Sequence, residues 1–291
     1  MKITQQNRKL SSIRHVGLVT KPGDATLGAY VDEIQAALAK HDVTLLIEEK
    51  SAHTLGRFGV TFETMCKESD FLISLGGDGT LISLCRHSFM YHKPILGIYA
   101  GQLGFLTDIQ TDEITHFIEE LFCGNYRIDT RMMLEVTLHI NRKKKKMVAF
   151  NDVVLSRSKI SHMSTVHAFV DGHLFNSYYG DGVIVSTPTG STAYNISAGG
   201  PLVYPLTEAL ILTPICPHSL TQRPLVLPVD FEIALESEDD TVVVIDGQDT
   251  YHMSEIDRVC VKIAKKSAQL IHSLDRDYFD VLKKKLRWGH M

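Results

Sequence analysis

The stretch Asp70 to Thr80, DFLISLGGDGT, leaves the chain around it little freedom. Phe71, Leu72, Ile73 and Leu75 form an apolar run of strand length. The run breaks at Gly76-Gly77-Asp78-Gly79-Thr80, and Leu81, Ile82, Leu84 and Cys85 follow at helical spacing. The reading is strand, glycine loop, helix. Three glycines would let the backbone take positive φ and come close to a ligand, and the helix start offers N–H groups to an anion. Asp78 is the odd residue in such a loop, because a phosphate repels a carboxylate. It calls for a metal ion or for a proton to accept. The plain alternative is a tight turn with Asp78 capping the helix.

The first half of the chain alternates strand and helix. Ile13 to Val19 is a candidate strand closed by Lys21-Pro22-Gly23-Asp24. Leu27, Tyr30, Val31, Ile34, Ala37 and Leu38 then share one helical face. Val43–Ile47 and Pro94–Tyr99 read as further strands, with helices over Phe62–Lys67 and Asp112–Phe122. Strands alternating with helices imply parallel pairing, and ligands in such sheets bind beyond the carboxyl ends of the strands. The loops at Gly76 and Gly101 both lie there.

Near Arg127 the period changes to two. Leu134, Val136, Leu138 and Ile140 alternate with polar residues, and so do the runs at 166–170, 231–235 and 259–263. The final stretch, Asp275 to Trp288, is helical again. The expected fold is an α/β N-terminal domain with an open parallel sheet, residues 1–125, and a mostly β C-terminal domain, residues 126–272. A C-terminal helix, 273–291, returns to the first domain. The basic run Arg142–Lys146 between two strands reads as a solvated hairpin tip.

Composition narrows the class. At 291 residues and 44% hydrophobic the chain can fill two cores, and a net charge of -4 with mixed signs gives no reason to expect a nucleic-acid partner. Five isolated cysteines without a CxxC pair argue against a disulfide framework or zinc site and for a reducing compartment. No apolar run reaches the length of a membrane span, and the start lacks the apolar core of a signal peptide. The expectation is a soluble, cytoplasmic protein with no membrane partner.

Tyr179 to Pro201, YGDGVIVSTPTGSTAYNISAGGP, carries the most information in the second half. Ser186 to Tyr194 is dominated by hydroxyls and turn formers. Such a segment cannot build core, but it offers many small donors to a polyoxygenated ligand such as a nucleotide ribose. A loop without any ligand is the alternative.

GGDGT at Gly76, GQLGFLTD at Gly101, NDVVLSR at Asn151, the Gly180–Pro201 segment, PHSLTQRPLVLP at Pro217 and DGQ at Asp246 together resemble the NAD kinase family, in order and over most of the chain. GGDGT alone is shared with diacylglycerol and sphingosine kinases, whereas the TPTGSTAY…SAGGP segment after a GDG turn is far more specific. The resemblance implies transfer of the terminal phosphate of ATP to the 2′-hydroxyl of the adenosine ribose of NAD, giving NADP. It makes Asp78 the proton acceptor, Gly76, Gly77, Gly79 and Thr80 the phosphate loop, and Asn151 and Asp152 the pair on the adenosine half of NAD. Gly79, Phe105, His162, Asp181, Thr192, Ala193, Tyr194, Ser197 and Gln248 fall where the family contacts the dinucleotide. Magnesium would come with the ATP phosphates, with no dedicated protein metal site, and the assembly would be a homodimer or homotetramer.

Two positions depart from the pattern: Tyr99, where many members carry Asn, and Tyr179, where some bacterial members carry a basic residue. Taken alone, Asn151-Asp152 could end a strand, His162 could be a surface histidine, Tyr194 an edge-of-core aromatic and Asp246-Gly247 a hairpin turn. A lipid or sugar kinase sharing the GGDGT loop, or a nucleotide sensor without catalysis, are the competing readings. A retained Asp78 speaks against the sensor, because a pure binder gains nothing from a carboxylate beside phosphate.

Overall fold

The structure, a computed structural model, describes residues 9–10, 12–101, 104–159 and 162–288. The chain divides into two compact units: residues up to Thr130 together with those from Ala268 onward, and Arg131–Ser267.

The first unit begins as alternating strand and helix: β1 (His15–Thr20), α1 (Gly28–Ala39), β2 (Thr44–Ile47), α2 (Glu49–Thr54), α3 (Phe62–Glu68), β3 (Phe71–Gly76), α4 (Asp78–His87), β4 (Pro94–Tyr99), β5 (Ile109–Gln110), α5 (Ile114–Phe122) and β6 (Tyr126–Arg131). The local signals account for most of these. In α1, Val31, Ile34, Ala37 and Leu38 are buried at three- and four-residue spacing. Thr61 caps α3, and the side chains of Gln110 and Glu113 close a capping box ahead of α5. β3 and β4 are buried along their whole length, as central parallel strands covered on both faces must be. Helix α2 has no counterpart in the sequence reading: it is a short turn held by the Glu48 side chain, which accepts from the Ser51 N–H at 2.8 Å.

The second unit is built of strands β7 (Leu134–Ile140), β8 (Lys143–Ala149), β9 (Asp152–Arg157), β10 (Ser164–Val170), β11 (His173–Gly180), β12 (Gly182–Ser186), β13 (Leu210–Ile215), β14 (Leu225–Leu227), β15 (Ile233–Glu236), β16 (Thr241–Ile245), β17 (Asp249–His252) and β18 (Arg258–Ile263), with the one-turn helix α6 (Tyr194–Ser197). They form two six-stranded antiparallel sheets, in the orders β11-β10-β15-β18-β7-β8 and β14-β13-β12-β9-β16-β17. Alternate residues of both sheets, among them Val136, Leu155, Val183, Val185, Leu235 and Val259, fill one core. Ile184 points the other way, toward Val154, Ile215 and Ala198, so β12 is buried on both faces.

The lysine run is not a hairpin tip. The tip is Asn141-Arg142, both with positive φ, and Lys143–Lys146 form the start of the edge strand β8, paired with β7 on one side. Four exposed lysines on an open sheet edge discourage another strand from adding there.

The chain then returns to the first unit as β19 (Ala268–Ser273) and α7 (Tyr278–Leu286), capped by the Asp277 side chain. The first sheet has the order β2-β1-β3-β4-β19-β6, with β5 beside β4. Pairings of β1 with β2 and β3, and of β4 with β3, β5 and β19, are parallel. The sequence expectation placed the changes of unit at 125/126 and 272/273. Here Tyr126–Arg131 and Ala268–Ser273 are strands of the first sheet, so the division falls at 130/131 and 267/268. Among the described residues no helix is long and apolar enough to cross a membrane.

Candidate active site

The GGDGT loop joins the buried end of β3 to the first turn of α4. None of Gly76, Gly77 or Gly79 has positive φ, contrary to the sequence expectation. Their contribution is room. A Cβ at Gly76 would stand 2.7 Å from Thr80 Oγ1, while the space beside Gly77 and Gly79 is open, so a ligand can approach the backbone there.

Asp78 does not cap its own helix either. Gly77 is the N-cap, with no side-chain bond, and the Asp78 carboxylate turns to the loop after β4. The N–H of Phe105 donates to Oδ2 at 2.7 Å, and the N–H groups of Leu106 and Thr107 donate to Oδ1 at 3.2 Å each, with Thr107 Oγ1 at 3.3 Å. A carboxylate has about four acceptor positions. Oδ1 faces three donors and Oδ2 one, which makes Oδ2 the oxygen with capacity left for an incoming hydroxyl.

In the second unit Asp246 organises the start of β9. It sits with Gly247 at the centre of a β16–β17 turn in which both residues have positive φ and Gln248 N–H closes back on Ile245. Its carboxylate accepts from the N–H groups of Phe150, Asn151 and Asp152 at 2.7–2.9 Å. The hairpin turn of the sequence reading is therefore an anchor for residues more than ninety positions away in the chain.

The Ser186–Tyr194 segment is pinned to the same place. Thr187 Oγ1 donates to the Phe150 carbonyl, Ser186 Oγ and Thr187 N–H to the Asn151 carbonyl, and a Cβ at Gly190 would stand 2.2 Å from that carbonyl oxygen. Asn195 is buried and holds the far end: Nδ2 donates to the carbonyls of Ser191 and Pro201, and Oδ1 accepts from Thr213 Oγ1 at 2.6 Å. Tyr194 N–H reaches back to the Asp152 carboxyl. Thus Asn151, Asp152, Thr192, Ala193, Tyr194 and Gln248 are gathered on one anchored set of loops, with Ser197 exposed on α6.

Asp181 pairs with Arg157 Nε at 3.0 Å at the opposite end of β9 and β12. His162 is exposed in the connection between β9 and β10, and among the described residues no hydrogen bond or ion pair ties it to Asp246 or its partners. In the first unit the structure places Phe105 against Asp78, next to the glycines of the loop. Tyr99 is buried at the end of β4 opposite Gln110, its hydroxyl shifted up by burial and then by the acids Glu113, Asp112 and Asp108. Tyr179 is half exposed, with its ring 5.8 Å from that of His218.

Three buried side-chain oxygens in the second unit have no hydrogen-bond partner among the described residues: Gln222 Oε1 and, in these loops, Asn151 Oδ1 and Thr189 Oγ1. Thr189 is only 3% exposed and sequence reasoning did not single it out, because one hydroxyl among many in TPTGST carries no separate signal. Unsatisfied buried oxygens cost free energy, and a ligand donor offsets that cost.

Asp152 is 4% exposed. Burial, with the Asp246 charge adding to it and the Tyr194 N–H opposing, pushes its carboxyl up to about 7 from 3.8. The folded protein keeps a proton that the unfolded chain releases near 3.8. Its stability contribution therefore falls as pH rises between these values, by up to about 1.4 kcal/mol per unit, and levels off above them. Melting temperatures of the ligand-free protein from about pH 4 to pH 8 are expected to carry this slope, and Asp152→Asn to flatten it. Parallel profiles for the two proteins would show that Asp152 is ionised throughout.

With this geometry in place, the comparisons with known proteins agree with one another. The profile of the ATP-NAD kinase N-terminal domain matches residues 16–126, and that of the ATP-NAD kinase C-terminal domain matches residues 150–273. An NAD kinase of Sulfurimonas denitrificans is 49% identical over 278 residues, 95% of this chain and 98% of its own. The chain belongs to the NAD kinase family. An NAD kinase of Wolinella succinogenes is 46% identical over 282 residues, covering 96% of this chain and 97% of its own. Among solved structures, yeast NADH kinase complexed with NADH superposes with a TM-score of 0.85 at 25% identity, over 97% of this chain and 89% of that one. An Archaeoglobus fulgidus NAD kinase in complex with ATP gives 0.75 at 25% identity, over 94% and 98%. Both matched family domains hold one of the two anchored loop sets: Asp78 with Phe105 in the N-terminal one, Asp246 with Asn151 and Asp152 in the C-terminal one.

Proposed function

We propose that this chain transfers the terminal phosphoryl group of ATP to the 2′-hydroxyl of the adenosine ribose of NAD, with Asp78 as general base. The observation that carries the base assignment is the Asp78 carboxylate itself, fixed by the amides of 105–107 with Oδ2 short of donors. As the ribose oxygen bonds to the γ-phosphorus and the bond to ADP breaks, the hydroxyl proton passes to Asp78. Asn151 and Asp152, with Thr189, Thr192, Ala193, Tyr194, Ser197 and Gln248, take the dinucleotide. Phe105, Asp181 and His162 are assigned to the same ligand on the family resemblance. Gly76, Gly77, Gly79 and Thr80 take phosphate.

Among the described residues no three His, Cys, Asp or Glu side chains are grouped to hold a metal. In this proposal the divalent ion is magnesium and enters on the ATP phosphates, where it would screen Asp78 from their charge. The reaction is assigned to the cytoplasm and to a homodimer or homotetramer.

The direct test is incubation of the protein with magnesium ATP and, separately, NAD, NADH, sphingosine and fructose 6-phosphate. ADP release with NAD and formation of NADP are expected. Turnover of the lipid or sugar instead would replace this reading with a kinase of another acceptor, and nucleotide binding without ADP release would replace it with a sensor.

Asn151→Ala separates a ligand contact from a structural one. Removing an unsatisfied buried oxygen should leave the melting temperature of the ligand-free protein unchanged or raised, while KM for NAD rises more than kcat falls. Normal KM with a collapsed kcat would contradict the assignment.

A further inference from the structure

The loop that holds Asp78 is itself held from behind by a residue of the chain's far end. Arg276, which follows β19, donates through Nη2 to the Phe105 carbonyl at 2.6 Å and through Nη1 to the Leu106 carbonyl at 3.2 Å. The Phe105 carbonyl and the Leu106 N–H belong to one peptide plane, and the Leu106 carbonyl and the Thr107 N–H to the next. In a trans peptide these groups point in opposite directions, so fixing the oxygen fixes the hydrogen. The same two planes thus meet the guanidinium on one side and Asp78 Oδ1 on the other. A cation on the carbonyl side also polarises each N–H toward the carboxylate.

Arg276 has little freedom to do anything else. Its side chain is 3% exposed, Nη1 lies 3.3 Å from Asp108 Oδ1 and 3.1 Å from His272 Nδ1, and its own carbonyl accepts from Arg127 Nη2 at 2.9 Å. Asp108 is in turn fixed by the Ser273 N–H at 2.9 Å. Burial alone would raise the Asp108 carboxyl. The hydrogen bond and charge of His272, the charge of Arg276 and the Ser273 N–H outweigh it and hold the group low, so Arg276 faces a carboxylate. A buried guanidinium with both a counter-charge and two carbonyls is a rigid support.

We propose that Arg276 is a positioning residue for phosphoryl transfer, holding the Phe105–Thr107 loop and through it the Asp78 carboxylate in the geometry that leaves Oδ2 to the acceptor hydroxyl. The proposal rests on Asp78 acting as the base. The Arg276 guanidinium lies on the carbonyl side of the loop, while Asp78 lies on its N–H side. Lysine at this position can reach one carbonyl but cannot span both planes.

The test is steady-state kinetics with magnesium ATP and NAD on Arg276→Ala, Arg276→Gln and Arg276→Lys, each in the parent and in the Asp78→Asn background. Arg276→Ala should lose roughly a hundredfold in kcat with KM for NAD within about twofold, and Arg276→Lys should fall between. Millimolar guanidine should restore part of the lost kcat in Arg276→Ala. In the Asp78→Asn background the same substitutions should cost little more and guanidine should restore nothing, because the group being positioned is already disabled. A support that only stabilises the fold would lower the melting temperature without this split. Near-parental kcat in folded Arg276→Ala beside a collapsed Asp78→Asn overturns the positioning role alone, as does an equal loss in both backgrounds. Near-parental turnover by Asp78→Asn overturns the base assignment instead. Should Arg276→Ala not fold, Arg276→Gln and Arg276→Lys carry the same comparison.

Discussion

Asp78→Asn is expected to fold, to bind NAD within about twofold of the parent and to turn over roughly a hundredfold to ten-thousandfold more slowly. Asparagine matches the size of the carboxylate but has one acceptor oxygen in place of two. Three donors face Oδ1, so the amide oxygen belongs there, which leaves the NH₂ at the Oδ2 position. There it meets the Phe105 N–H donor to donor, and it cannot take a proton from a hydroxyl. The loss therefore falls on the transition state, where the proton moves, and little of it on ground-state binding. Kinetics of the variant together with calorimetric NAD binding decide the matter. Near-normal turnover in a folded, NAD-binding variant would leave positioning and metal-assisted transfer as the source of catalysis.

Gly104→Ala should have an effect of similar kind from the opposite side. A Cβ at Gly104 would stand 1.9 Å from Asp78 Oδ1 and 2.4 Å from Cγ, separations no unbonded pair tolerates. The carboxylate or the 104–107 backbone must move, and a displacement of about an ångström at a catalytic group costs on the order of a hundredfold in rate. Overpacking should also lower stability by about 1–3 kcal/mol in denaturant unfolding. Because the clash is with the carboxylate and not with backbone, that penalty should largely vanish in Asp78→Ala, whereas kcat should not recover. A penalty that persists in Asp78→Ala would place the conflict elsewhere in the loop.

Much of this architecture is legible in local sequence, for local reasons. The run Phe71–Leu75 followed by glycines defines β3, its loop and α4, because burial on both faces demands unbroken apolar residues and the turn demands small ones. Period-two alternation likewise defines β7, β10 and β18. What local pattern does not encode is partnership. Ala268–Ser273 follows the strands of the second unit directly in sequence, yet it belongs to the first unit and pairs in parallel with β4 there, a choice made by topology and not by residue type. Asp246 is recognisable as a turn former, but nothing in DGQ says that its carboxylate serves Phe150, Asn151 and Asp152. Arg276 gives no signal at all, since the carbonyls it holds lie about 170 residues earlier. The glycines of GGDGT were legible as necessary and misread as to cause: they make space and do not adopt a left-handed backbone.

The place of β19 in the first sheet bears on how the protein emerges from the ribosome. Arg131–Ser267 is contiguous, so the second unit has all its strands as soon as Ser267 has cleared the exit tunnel. The first unit, though begun earlier, waits with β4 and β6 unbridged until Ala268–Ser273 arrives, and Arg276 comes three residues later still. The usual order of vectorial folding, amino-terminal domain first, is thereby reversed for the completed sheet. A nascent chain stalled before Ala268 carries every residue of the proposed dinucleotide site and Asp78 as well, but lacks the strand and the guanidinium that fix the base. Catalytic competence is therefore acquired only once the stretch from Ala268 to Arg276 has been translated.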